Sequence, residues 1–199
     1  METIRGKSSH ELDFDRFKQR LAGYNRIHLD LGTGDGRYVH HLAGKDPHGF
    51  FLGLDACREN LREHSLAKLP NMLFVIASAE DLPCELYGLI SGITINFPWG
   101  SLLASLLAGD GRLLSGLESL SRSGASLEVL LNGGALAEAG STLEAGAEKI
   151  GANLLRYGWR MDEPRWLDTA DLRAFPSTWA RRLAFGRDPR AMALSGCFK

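Results

Sequence analysis

Apolar residues along this chain fall into short blocks, set apart by glycines and by stretches with helical spacing. Residues 26–31 and 50–55 read as buried strands with few polar breaks; the first runs into glycines and the second ends on Asp55. Similar blocks over 72–77, 89–96 and 126–131 predict further strands. Helical spacing over 38–43, 58–67, 102–108, 113–120 and 147–155 predicts the helices between them. Ser8 and Glu11 have capping-box spacing and predict a helix with Leu12, Phe17 and Leu21 inward. The Gly/Ala-rich stretch 132–146 reads as a flexible connector, and residues 158–199 as a strand, a short helix near Thr178 and terminal strands. Strands alternating with helices imply an α/β fold, a mostly parallel sheet with helices on both faces.

Composition adds limits. The 199 residues suit a single domain with a sizeable core, since such a length buries roughly 70% of its unfolded surface, with 1–24 as an N-terminal extension. A hydrophobic fraction of 44% against 24% charge excludes global disorder. No apolar run approaches the about 20 residues of a membrane span, and the first residues lack a signal-peptide core, so a cytoplasmic protein is expected. Cys57, Cys84 and Cys197 are far apart without metal spacing and read as buried reduced thiols. The adjacent pair His40 and His41 cannot both face one metal, so no metal is expected.

A net charge of −1 argues against a protein that coats nucleic acid by bulk charge, but the charge is uneven. Residues 156–190 carry eight arginines against five acids, a net of +3, while residues 1–155 carry a net of −5. Arginine's planar fork suits phosphate and stacking, so the carboxyl end is a candidate recognition edge.

Asp30-Leu31-Gly32-Thr33-Gly34-Asp35-Gly36 lies where a strand hands over to a helix. Glycines at alternate positions let the backbone turn and approach a ligand closely. The spacing is G-x-G-x-G with Arg37 next, which breaks the dinucleotide fingerprint, and the leading Asp30 suits an ammonium better than a pyrophosphate. Asp55 at the end of the next strand has the position of a ribose acceptor, and Ala79 and Glu80 follow the third strand near an adenine edge. These strand-end features in order point to S-adenosylmethionine (SAM).

Asn96-Phe97-Pro98-Trp99-Gly100-Ser101 follows the fourth strand, and Pro98 fixes the direction of Trp99. Trp179 lies in the arginine-rich end. An indole on each side of an extruded base would form a clamp worth about 1–3 kcal/mol per stacked face, although spacing alone leaves both rings free to be core residues.

Three segments resemble the KamB/NpmA methyltransferases: 30–37 (DLGTGDGR), 97–103 (FPWGSLL) and 179–187 (WARRLAFGR). The resemblance runs from about Arg26 to the end. It implies a Rossmann-like class I SAM-dependent methyltransferase with a mostly parallel seven-stranded sheet. It also implies methylation of N1 of adenine 1408 in 16S rRNA of the 30S subunit and aminoglycoside resistance, while one compact domain suits a monomer. By resemblance, Asp30, Gly32, Gly34, Gly36, Asp55, Ala79, Glu80, Asn96, Phe97, Pro98 and Ser101 would form the SAM site. Trp99 and Trp179 would sandwich the flipped adenine, Ser177 would orient the Trp179 loop, and Arg182, Arg187 and Arg190 would face the RNA.

The chain departs from the family in its docking segments. Residues 64–71 hold one lysine where the family's resistance enzyme has a lysine-rich connector, and Asp188-Pro189 interrupts the basic run after Arg187. Two other readings therefore stay open: a small-molecule methyltransferase on the same core, and a non-catalytic SAM-binding RNA or ribosome binder.

Overall fold

The computed structural model describes residues 1–186 and 188–199. In chain order its elements are β1 (Glu2–Arg5), β2 (Ser8–Glu11), α1 (Phe14–Leu21), β3 (Arg26–Leu31), α2 (Arg37–Lys45), β4 (Gly49–Asp55), β5 (Met72–Ile76) and β6 (Ile90–Asn96). There follow α3 (Gly100–Ala108), α4 (Gly111–Leu120), β7 (Ser121–Asn132), α5 (Gly133–Glu138), α6 (Leu143–Leu155), β8 (Trp159–Met161), β9 (Arg165–Leu167), α7 (Thr169–Ala174), α8 (Thr178–Ala184) and β10 (Ala191–Phe198).

The strands form one sheet in the order β2-β1-β5-β4-β3-β6-β7-β10-β8, with β9 also on β10. From β5 to β7 all neighbours are parallel, and the pairings of β1, β2, β8, β9 and β10 are antiparallel. The chain leaves β3 toward β4 on one side and later returns to β6 on the other. Such a reversal opens a crevice at the carboxyl ends of the strands, the usual ligand position in a fold of this kind. The sheet has ten strands rather than the expected seven. The hairpin β1–β2 extends the β5 edge and β9 adds to β10.

Alternation along the strands builds a core on each face. Phe50, Leu52 and Leu54 of β4, with Leu73 and Val75 of β5, belong to one core cluster with Phe17 and Leu21 of α1 and leucines of α3, α4 and α6. Their neighbours Phe51, Met72 and Phe74 face Val39 and Ala43 of α2 on the other side. A third cluster matters most for the site. Ala180 and Ala184 of α8 meet Ala191 and Ala193 of β10 beside Phe97, and the small side chains let this helix lie close to the sheet.

Local expectations fail where long-range partners compete. Residues 8–11 are a strand, not the opening of a helix: Gly6, at φ +62°, begins a turn that pairs Arg5 with Ser8 and Glu2 with Glu11. The helix starts instead at Phe14, capped by Asp13, whose carboxylate accepts from the Arg16 N–H at 2.8 Å. The helix expected over 58–67 is reduced to two short 3₁₀ turns, Asn60–Arg62 and His64–Leu66. Tertiary bonds hold that stretch: Ser65 Oγ accepts from the Gly6 N–H at 2.8 Å, and His64 Nδ1 lies 2.7 Å from the Asp35 carbonyl. The stretch 132–146 contains α5 and the start of α6. Asn132 and Thr142 cap the two helices, so its glycines and alanines do not prevent regular structure. The cysteines are not buried: Cys57 and Cys84 are exposed and Cys197 is intermediate, because they fall on connections and near the chain end rather than in the core.

Candidate active site

A cavity of about 550 Å3 lies at the carboxyl ends of β3, β4, β5 and β6. Its floor is the turn after β3, where Gly32, Gly34 and Gly36 all have positive φ. The Gly32 and Thr33 N–H groups donate to the Leu54 carbonyl at 2.8 and 3.0 Å, folding the turn over β4. The three glycines answer to different constraints. A Cβ on Gly32 would strike Leu102 at 2.6 Å and one on Gly36 would overlap the Phe74 ring, whereas one on Gly34 meets nothing within 4 Å. Gly34 is the position where the backbone itself faces the cavity, and Gly36 is a packing requirement.

Asp55 accepts from the Gly34 N–H through Oδ2 and from the Cys57 N–H through Oδ1, each at 2.8 Å. Burial raises its pKa above the ordinary carboxylate value, and these bonds act against that shift. The Asn60 side chain also bonds this carboxylate, and lone-pair capacity remains for a ligand hydroxyl. Ala79 and Glu80 also line the cavity. The Glu80 carboxylate is held by the hydroxyls of Ser78 and Ser105, and these bonds, led by Ser78, keep its pKa below normal.

Asp30 is not on the cavity wall. It is 1% exposed and accepts from Thr33 Oγ1 at 2.6 Å and from Thr94 Oγ1 and Asn96 Nδ2 at 2.7 Å. Burial pushes its pKa up to about 6 despite these donors. His28 Nε2 lies 3.1 Å from Thr94 Oγ1, and since that hydroxyl donates to Asp30, the imidazole N–H donates to it in turn. Burial lowers the His28 pKa to about 4. The sequence motif thus contains an acid that organises the turn from beneath. Asn96 joins this network through its amide N–H, while its buried Oδ1 has no partner among the described residues and the residue lines the cavity.

The chain then turns abruptly. Phe97 has φ +53°, the left-handed region that a bulky residue avoids, and its ring is buried against α8 and β10. The Phe97 N–H donates to the Leu130 carbonyl at 2.8 Å, and the ring meets Phe175 edge-on at 6.0 Å. Past this inward ring the chain leaves Pro98 buried and Trp99 exposed, and all three residues line the cavity. Ser101 lines the cavity in the first turn of α3.

Trp99 is 65% exposed and Trp179 40%, far above a core indole such as Trp159 at 0%. Their ring centroids are 6.2 Å apart with planes inclined by 49°, so two residues distant in sequence meet at the cavity mouth. The Arg182 guanidinium carbon lies 5.2 Å from the centre of the Trp179 ring and the residue lines the same cavity. Ser177 is the N-cap of α8, accepting from the Ala180 N–H at 3.0 Å, and acts on Trp179 through the helix. Arg190 is turned away and paired twice with Asp188 at 2.8 Å. Arg187 lies outside the described residues.

The chain as a whole is similar to known methyltransferases. The family model described as "NpmA: 16S rRNA (adenine(1408)-N(1))-methyltransferase" matches residues 2–198. The chain belongs to this family. A 16S rRNA (adenine(1408)-N(1))-methyltransferase of Escherichia coli is 33% identical over 98% of both chains. The 16S rRNA methyltransferase KamB superposes with a TM-score of 0.90 at 31% identity, covering 100% of each chain. A solved tryptophan-to-alanine variant of the Catenulisporales acidiphilia enzyme, with cosubstrate SAM, superposes at 0.87 with 25% identity, covering 100% of this chain and 96% of that one.

Thr178, Asn60 and Ser78 line the site and escaped the sequence reading. Thr178 Oγ1 donates to Asp35 Oδ2 at 2.6 Å, tying α8 to the glycine turn across 143 positions of chain. Both residues line the cavity, and a threonine next to Trp179 gives no sign by itself that its partner is so distant. Asn60 and Ser78 are further lining residues without a sequence signal. Among the described residues no helix is long and apolar enough to cross a membrane, and no group of three or more His, Cys, Asp or Glu side chains gathers as a metal site.

Proposed function

We propose that this chain is a single-domain SAM-dependent methyltransferase that modifies N1 of adenine 1408 in 16S rRNA within the 30S subunit, giving aminoglycoside resistance. The observation that carries the reading is the pair of exposed indoles meeting over a strand-end cavity with a glycine turn and Asp55 in its floor. Family membership supports both the cofactor and the substrate. The residues present fit SAM: Gly34 leaves open space where a Cβ would stand, Asp55 keeps free lone pairs, and Asn96 Oδ1 is a buried acceptor without a partner among the described residues.

Bound SAM supplies a methyl group on a sulfonium, already activated for transfer. Gly32, Gly34, Asp55, Ala79 and Glu80 would hold it, and Asn96 to Ser101, which line the same cavity, would border the methyl group and the base. Trp99 and Trp179 take the adenine on its two faces, which offsets an unstacking cost of a few kcal/mol. Adenine N1 carries its own lone pair, so no side chain needs to remove a proton first, and catalysis is mainly positioning. Arg182 stands beside the clamp where a phosphate next to the extruded base would pass, and Arg187 follows it in sequence. Cofactor cavity and clamp come from one chain, which favours a monomer. A 30S substrate sets the place of action in the cytoplasm.

The test is primer extension on 30S subunits incubated with protein and SAM. A stop at adenine 1408 is expected. No stop at high enzyme concentration, with SAM bound, would sink the reading. Capture of 30S without transfer of labelled methyl would select a non-catalytic binder, and turnover insensitive to salt would select a small neutral substrate.

A further inference from the structure

A second cavity, of about 460 Å3, lies at the β5 edge of the sheet, apart from the crevice. The N-terminal hairpin forms one wall with Arg5 and His10, α1 adds Arg20, and the stretch before β5 adds Lys68. Among the described residues no carboxylate lines it. Among the described residues Arg5, Arg20 and Lys68 form no ion pair, whereas Arg165 and Arg190 at the basic carboxyl end are paired with Asp171 and Asp188. Unpaired positive charge thus stands also in a concave site at the end of the molecule that the overall charge balance made look acidic.

The site is pre-organised. Arg20 donates from Nη2 to the Met72 carbonyl at 3.1 Å, which fixes its guanidinium at the cavity wall. Burial lowers the Arg20 pKa and the Arg5 charge acts in the same direction, although a guanidinium stays protonated throughout. The hairpin tip is pinned as well. The Gly6 N–H donates to Ser65 Oγ at 2.8 Å and Arg58 Nη2 to the Lys7 carbonyl at 3.0 Å. A Cβ at Gly6 would strike Leu66 at 2.8 Å, so the turn sits against the 64–66 segment. That segment also touches the glycine turn through His64, which connects the two cavities along one stretch of chain. Two guanidiniums at one concavity, that of Arg20 tied to the Met72 carbonyl, are arranged for an anion with several acceptor oxygens.

We propose that this cavity is a docking site for a backbone phosphate of the RNA substrate, with Arg5 and Arg20 as its principal donors and Lys68 and His10 beside them. The proposal rests on an RNA substrate as argued above. It assigns to the hairpin and α1 a docking role that the lysine-poor 64–71 stretch cannot fill alone.

The experiment compares the wild type with Arg5→Gln/Arg20→Gln in methylation of 30S subunits across a salt series. Each phosphate contact contributes about 0.7–0.9 to the slope of log affinity against log salt. The double variant is expected to raise KM at least about tenfold with SAM affinity kept, and to flatten the salt slope by about 1.5. Because Arg20 also bonds the Met72 carbonyl, Arg5→Ser and Lys68→Gln are measured beside it with thermal melting, and each is expected to raise KM with Tm unchanged. An unchanged KM and slope in well-folded variants overturn the proposal. If the wild type itself leaves 30S unmodified, the functional reading fails; fluorescence anisotropy with a short RNA duplex then tests the site separately. Equal affinity of wild type and double variant for that duplex overturns the docking site.

Discussion

Stacking a base between Trp99 and Trp179 requires the two rings to separate. A stacked face sits about 3.5 Å from its partner, so a sandwich needs parallel rings about 7 Å apart. The observed rings are 6.2 Å apart and inclined by 49°, in contact with each other rather than holding a slot. An aromatic pair of this kind is worth about 0.5–1.5 kcal/mol, which the arriving base must displace. Each base–indole face returns about 1–3 kcal/mol. Replacing one tryptophan by alanine removes one face but also releases the other ring from its self-contact. Each single variant is thus expected to lose at most about 2.5 kcal/mol of transition-state stabilisation, roughly 70-fold in kcat/KM, and close to nothing where the released self-contact matches the lost face. In Trp99→Ala/Trp179→Ala both faces are lost but the self-contact is relieved only once. The double variant must therefore exceed the sum of the singles by about 0.5–1.5 kcal/mol, a further 2- to 13-fold. The assay is kcat/KM on 30S subunits for all four proteins. SAM affinity by calorimetry should stay constant, and Tm should change little because both rings are substantially exposed. Additive or sub-additive losses would refute the argument that the free clamp is closed on itself.

Other consequences follow from the floor of the site. Gly34→Ala should fold normally and weaken SAM at least about tenfold in calorimetry, since its Cβ enters open cavity, with about 1–2 kcal/mol of left-handed strain. Gly36→Ala, whose Cβ meets Phe74, should instead lower Tm. Thr178→Val removes the bond to Asp35 and should reduce kcat/KM on 30S several-fold through KM, with Thr178→Ser restoring it; no change would show that the link does not position Trp179. Protonation in the buried network should give compensating pH effects. Asp30, raised to about 6, contributes stability present below its unfolded value and lost as pH rises through 6. His28, lowered to about 4, contributes stability present above 6.5 and lost as pH falls through 4. Each amounts to about 3 kcal/mol, so urea unfolding of the wild type should show little dependence from this pair over pH 4–6. His28→Gln should make stability fall as pH rises across that window, and a flat profile in the variant would contradict the assignment.

Much of the site was legible because its parts sit at strand ends. The glycine turn, Asp55, Glu80 and the Asn96–Ser101 segment each follow a recognisable apolar block, and a parallel sheet gathers such ends into one crevice. Local pattern misled where a distant partner changed the outcome. The Ser8–Glu11 spacing specifies a helix cap on its own, but pairing with β1 uses the same residues as a strand. Asp30 has the right place for a ligand group, yet three side-chain donors turn its carboxylate inward.

The sequence by itself determined the α/β alternation, the glycine turn and the family, because these depend on neighbours within a few residues or on motifs quoted whole. The tertiary structure alone decided that Trp99 and Trp179 meet, that Thr178 holds Asp35, and that Arg5 and Arg20 share a cavity. The first two join residues 80 and 143 positions apart. Such contacts have no local period to betray them: they depend on how closely α8 approaches the sheet over its alanines and how the hairpin packs on the β5 edge. A net charge of −1 describes the whole chain; only the fold shows which cations stand without a carboxylate.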